Sequence, residues 1–170
     1  MSDDLHMGGC SCGRVRYRLR DTPLIVHACH CRMCQRLTGS TNAVNILIER
    51  DKVELESGDV TEAMAFTPSG NGQRIARCSA CQVAVWSEYL IFEKLRAVAV
   101  RFVRAGTLDR PESFPPDVHI FTQTMQPHVR TSSDAPTFEQ FYDLPRLWSR
   151  SSLERLAAAQ PAPKPAPNAA

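Results

Sequence analysis

The residues best equipped for chemistry in this chain are its seven cysteines, and their spacing is specific. Cys29, Cys31 and Cys34 form a C-x-C-x-x-C cluster, Cys10 and Cys12 stand one residue apart, and Cys78 and Cys81 form a C-x-x-C knuckle. Seven is odd, so disulfides alone cannot use them all, and cysteines this close in sequence rarely bridge one another. Their sulfurs converge easily on one metal ion instead. Cys10, Cys12, Cys78 and Cys81 predict a structural zinc site closed by four thiolates, built as two knuckles separated by a span of fold. Cys29, Cys31 and Cys34 predict a second zinc with three protein ligands and one open position, the pattern of a reactive metal site. The alternative is a second closed site, completed by His27, His30, His119 or His128. His30 is disfavoured because, between Cys29 and Cys31 in an extended segment, it faces the other way.

An open three-thiolate zinc is a receptor for a fourth thiolate. A free thiol with a pKa near ~8.5 is only slightly ionised at neutral pH, whereas a thiol bound to zinc is deprotonated outright and is then a ready nucleophile. The implied partner is a small-molecule thiol. Each added thiolate makes the centre more negative, so nearby cations would help. Arg32 and Arg36, spaced i, i+4, would share one helical face and are the candidates for meeting the carboxylates of a peptide-like thiol.

Short strands must position these groups. Residues 15–19 alternate apolar and polar as a half-buried strand does, and Leu24-Ile25-Val26 runs straight into the cysteine cluster. Residues 33–37 read as one helical turn stopped by Gly39. Further strands are expected at 42–48, 53–56, 63–66, 75–77, around Val83 and Val85, and at 98–102. Gln82 follows the second knuckle, where glycine is often preferred for its positive φ. Residues 138–143 read as a short helix or a final strand. The whole is a mainly β domain with little helix. From residue 149 the composition turns to low complexity, and residues 150–170 are expected to form a disordered Pro/Ala-rich tail. The formal charge of +2 and the dispersed basic residues exclude a nucleic-acid footprint. No apolar run is long enough to cross a bilayer, and the acidic, h-region-free start is not a signal peptide. A cytoplasmic protein with reduced thiols is expected.

The strings GGCSCGRVRY (8–17), ACHCRMCQRLTGS (28–40), CSAC (78–81) and RAGTLDRPESFPPDVHIFTQ (104–123) resemble the glutathione-dependent formaldehyde-activating enzyme family, which also contains centromere protein V-type domains. The resemblance covers residues 6–145. It implies a β-tent of several short twisted antiparallel sheets around a structural zinc held by Cys10, Cys12, Cys78 and Cys81. It also implies a catalytic zinc held by Cys29, Cys31 and Cys34. The implied reaction joins glutathione and formaldehyde into S-hydroxymethylglutathione, classed as a carbon–sulfur lyase after its reverse direction. The chain departs from the family at Gln82, where members usually carry Gly, and at Gln126-Pro127-His128, where many carry Trp. Two function classes follow: a zinc lyase acting on a thiol–aldehyde adduct, and a zinc-stabilised binding module without chemistry. Three clustered thiolates with room for a fourth ligand favour the first.

Overall fold

β-Branched and aromatic residues bounded by turn formers give ten strands, which we describe from a computed structural model covering residues 6–91, 94, 99–131 and 134–159. The strands are β1 (His6–Gly9), β2 (Arg16–Leu19), β3 (Ile25–Cys29), β4 (Ala43–Glu49), β5 (Val53–Ser57), β6 (Val60–Ala65), β7 (Gln73–Cys78), β8 (Ala84–Tyr89), β9 (Val100–Arg104) and β10 (Val118–Ile120). A three-stranded sheet has the order β1-β2-β5, and a seven-stranded sheet has the order β10-β3-β4-β9-β8-β7-β6. All neighbours are antiparallel except β10, which lies parallel to β3. The mainly β expectation is met. The expected turn after the cysteines is α1 (Arg32–Thr38), and Gly39 ends it in the left-handed region, donating its N–H to Gln35.

Two packed cores divide the molecule. Tyr17, Leu19, Ile46, Ile48, Val85, Trp86 and Val103 fill the first, together with Cys10 and Cys78. Tyr17 sits edge-on to Trp86, and its hydroxyl lies 2.7 Å from Thr107 Oγ1. A side chain at Gly8 would meet the Tyr17 ring at 2.6 Å, so only glycine lets β1 pass over it. The second core gathers Leu47, Val100, Val118, Ile120, Tyr142 and Trp148 around Cys29 and Cys34.

Two C-terminal expectations need correction. Residues 138–143 form neither a helix nor a strand: they run as irregular chain along β10, with Phe138 N–H donating to His119 O and Phe121 N–H to Gln140 O. The chain is also ordered beyond residue 150. Helix α2 (Leu144–Leu147) is followed by α3 (Arg150–Ala158), whose N-cap Ser149 accepts the Ser152 N–H. Leu156 is buried in the second core, Ser152 Oγ donates to Leu24 O at 2.8 Å, and Arg155 pairs with Glu49 at 2.6 Å. One buried leucine and two anchored polar side chains suffice to dock a helix that composition alone marks as weak. Residues 160–170 lie outside the described residues. Among the described residues no helix is long and apolar enough to cross a membrane.

Candidate metal centre and cavity

The seven cysteines gather as two groups of four and three. The sulfurs of Cys10, Cys12, Cys78 and Cys81 all lie within 4.8 Å of one another, and so do those of Cys29, Cys31 and Cys34. In the first group Cys10 Sγ is 3.4 Å from Cys12 Sγ, which is 3.8 Å from Cys78 Sγ. Tetrahedral zinc with Zn–S near 2.3 Å needs neighbouring sulfurs about 3.8 Å apart, whereas a disulfide needs about 2.05 Å. The group therefore fits a metal ion and not a bridge. Local folding builds it: β2 starts just after Cys12, where Val15 N–H donates to Cys10 Sγ, and β7 ends on Cys78. Beyond the knuckle Gln82 adopts φ 62°, the left-handed conformation expected there, with its Nε2 donating to Ser79 O.

The second group sits where β3 runs into α1. Cys31 is the N-cap of α1 and its sulfur accepts the Cys34 N–H at 3.3 Å. Hydrogen bonds from Cys29 and Cys34 pull Cys31 down to about 2. Cys29 is pushed up by its bonds to Cys31 and Cys34 and by burial. Cys34 is pulled down by Cys29, but Cys31 and burial outweigh this and raise it to about 12. Thiolates this close oppose one another's ionisation, so full ionisation of all three needs a cation among them. Both groups could hold a metal ion. Among the described residues no histidine nitrogen joins the three sulfurs. His30 turns away from the cavity, as its place between Cys29 and Cys31 predicted, and its Nε2 lies 3.0 Å from His119 Nδ1.

A cavity of 540 Å³ opens over Cys29, Cys31 and Cys34. Its floor is one rung of the large sheet. His27 on β3 pairs with Asn45 on β4, and Asn45 pairs with Arg104 on β9. Residues directly opposite one another across strands share a face, and Cys29 shares it with His27 two residues on. Asn45 Oδ1 accepts a hydrogen bond from Arg104 Nη1. Burial lowers the Arg104 pKa, and negative charge on Cys34 and Cys29 opposes that, so this guanidinium is the buried cation beside the sulfurs. His27 Nε2 is 2.6 Å from Tyr142 Oη, which accepts the Trp148 indole N–H at 2.7 Å. Burial holds His27 down to about 3, so the cavity carries it as an uncharged imidazole.

The cations expected from sequence have a different place. At about 100° per residue, Arg32 and Arg36 stand roughly 200° around α1 from Cys34. Both are exposed, neither lines the cavity, and Arg32 Nη1 donates to Gln35 Oε1. Sequence reasoning missed Arg104 and Asn45. The available signal was an asparagine inside the apolar run of β4, a polar residue that must be answered by a partner when buried.

A sequence model of the family described as "Glutathione-dependent formaldehyde-activating enzyme" matches residues 5–124. No curated protein matches the chain significantly. Among solved structures, a Rhodobacter sphaeroides protein is similar with a TM-score of 0.44 and 13% identity, covering 78% of this chain and 99% of its own.

Proposed function

The chain belongs to the glutathione-dependent formaldehyde-activating enzyme family, and from that premise we propose that it is a zinc-dependent carbon–sulfur lyase that makes and breaks thiol–aldehyde adducts. The observation that carries the reading is the three converging sulfurs of Cys29, Cys31 and Cys34 at the base of a 540 Å³ cavity. In this reading Cys10, Cys12, Cys78 and Cys81 hold a structural zinc, and Cys29, Cys31 and Cys34 hold a second. When bound, the second zinc supplies a position at which a substrate thiol is ionised. Arg104 offsets the negative charge of the cysteines from below. Buried, neutral His27, tied to Tyr142 and Trp148, and Asn45, tied to Arg104, form a rigid polar floor against which the reacting groups are positioned.

The chemistry balances simply. The thiol loses its proton, its sulfur forms a bond to the carbonyl carbon, and the displaced electron pair moves to the oxygen, which takes up a proton. The reverse breaks the carbon–sulfur bond. The reference pair named by the family is glutathione and formaldehyde. The uncatalysed addition is appreciable, so the test measures a rate: exchange NMR on an equilibrium mixture of thiol, aldehyde and adduct. Zinc-loaded protein should accelerate exchange and Cys31→Ser should not. If no thiol–aldehyde pair is accelerated and no thiol perturbs the site, the domain is a zinc-stabilised binding module instead.

A further inference from the structure

The cavity has room and lining for much more than formaldehyde. Phe102, Phe121, Phe141, Met33, Ile91 and Leu144 supply apolar wall. Several of its polar groups are committed to neighbouring side chains. Asn45 is held by Arg104, and His27 is held by Tyr142. Gln73 Nε2 donates to Ser87 Oγ, which leaves Gln73 Oε1 a buried acceptor without a partner. The one ionic side chain along the wall among the described residues is Asp143, an acid. Glutathione carries two carboxylates and one ammonium. Its carboxylates would face aromatic rings and an unfilled acceptor, with the rim acid Asp143 exposed and already paired with Arg146 at 3.7 Å, and a charge taken out of water without a partner is strongly disfavoured. Arg104 is not among the lining residues; its Nη1 is bonded to Asn45 and its Nε is buried without a partner, and Arg32 and Arg36 lie on the far side of α1 from Cys34.

Building on the lyase reading above, we propose that the adduct this cavity accepts carries an apolar, uncharged substituent of several carbons, with glutathione plus formaldehyde a poor pair. Each methylene buried on the wall is worth about fourfold in affinity. The substituent enters on either the thiol or the aldehyde, since both meet in the same product. The hydroxyl of such an adduct is a donor, which suits the free acceptor of Gln73.

Exchange NMR on the zinc-loaded full chain with three pairs tests this. The pairs are glutathione with formaldehyde, benzyl mercaptan with formaldehyde, and 2-mercaptoethanol, a small uncharged thiol, with hexanal. At least one apolar pair should be accelerated at least about tenfold more than glutathione with formaldehyde, and the better of the two assigns the apolar group to thiol or aldehyde. If glutathione with formaldehyde is accelerated as well as either, the inference is overturned while the lyase reading stands. If no pair is accelerated, both fall. A second readout is independent of turnover. The ¹³C-methyl signal of Met33, a wall residue, should shift at lower concentrations of benzyl mercaptan than of glutathione, and the reverse order overturns the proposal. Asp143→Lys changes the sign of charge at an exposed position whose carboxylate makes no capping bond. It should raise exchange of glutathione relative to benzyl mercaptan about two- to fivefold, and an unchanged ratio shows that wall charge does not select the substrate.

Discussion

Replacing Leu156 by alanine tests whether α3 is part of the domain. Leu156 is 6% exposed and packs into the core that also holds Leu24, Trp148 and Cys29. Removing three buried carbons costs about 2–5 kcal/mol, the lower end where neighbours can collapse into the gap. A terminal helix against one side of a sheet is such a place, so about 2–3 kcal/mol is expected. For a domain of this size each kcal/mol moves Tm by about 2–4 °C, giving a fall of roughly 5–10 °C. Arg155→Ala should cost less, about 1–2 kcal/mol: it strips the partner from Glu49, whose side chain is only 6% exposed, but Arg155 is itself 24% exposed and partly screened. Ser152→Ala, which frees Leu24 O, should cost about 1 kcal/mol. Thermal melts and urea titrations on the zinc-loaded protein would measure all three. Truncation after Ser149 should destabilise at least as much as Leu156→Ala. A truncated protein melting within a degree of the full chain would refute the docking and return residue 150 to the tail.

Four further outcomes are expected. Gln82→Gly should stabilise by up to about 1 kcal/mol in urea titration, since glycine accepts φ 62° without the cost a side chain carries, the lost Ser79 bond being exposed. Cys78→Ser should unfold or aggregate the protein, whereas Cys34→Ser should leave a folded domain with weakened metal binding; circular dichroism with metal analysis separates them, and equal damage would make both groups structural. A chelator should remove the metal of the three-cysteine group before that of the four-cysteine group, followed by metal content against time. Hydrogen bonds from Arg16 hold Asp109 below the usual aspartate range. Its small stabilisation is therefore complete above the ordinary aspartate pKa and is lost as pH falls through the depressed one. Asp109→Asn should flatten that acid limb in melts between about pH 5 and pH 2.

What the sequence revealed was local, and what it hid was long-range. The cysteine grouping was readable because ligands one or two residues apart declare a knuckle without reference to the fold, and the pairing of knuckles followed from counting. The strands were readable from period-two alternation, and Gly39 from its position after α1. His30 was placed by the same alternation. The arginines were misplaced because a shared face between Arg32 and Arg36 says nothing about which face Cys34 occupies; the helical phase puts them roughly opposite. Arg104 could not be found beside Cys34 without the β3-β4-β9 register, which joins residues far apart in the chain. Helix α3 was hidden for a related reason: its stability comes from Leu24 and Glu49, and composition near residue 150 carries no trace of them.

The order of the cysteines along the chain bears on how the protein is made. Cys10, Cys12, Cys29, Cys31 and Cys34 all leave the ribosome before Cys78 and Cys81. At about 5–20 residues per second, the wait between Cys34 and Cys78 is roughly two to nine seconds. During that interval five thiols are available to a single ion, and four of them can form a closed site drawn from both groups. On the proposed two-zinc reading, an ion bound in such a combination would have to be released before β7 brings the last knuckle home. Free zinc during synthesis would then slow maturation, and yield of correctly metallated protein would improve when metal is supplied after translation rather than during it.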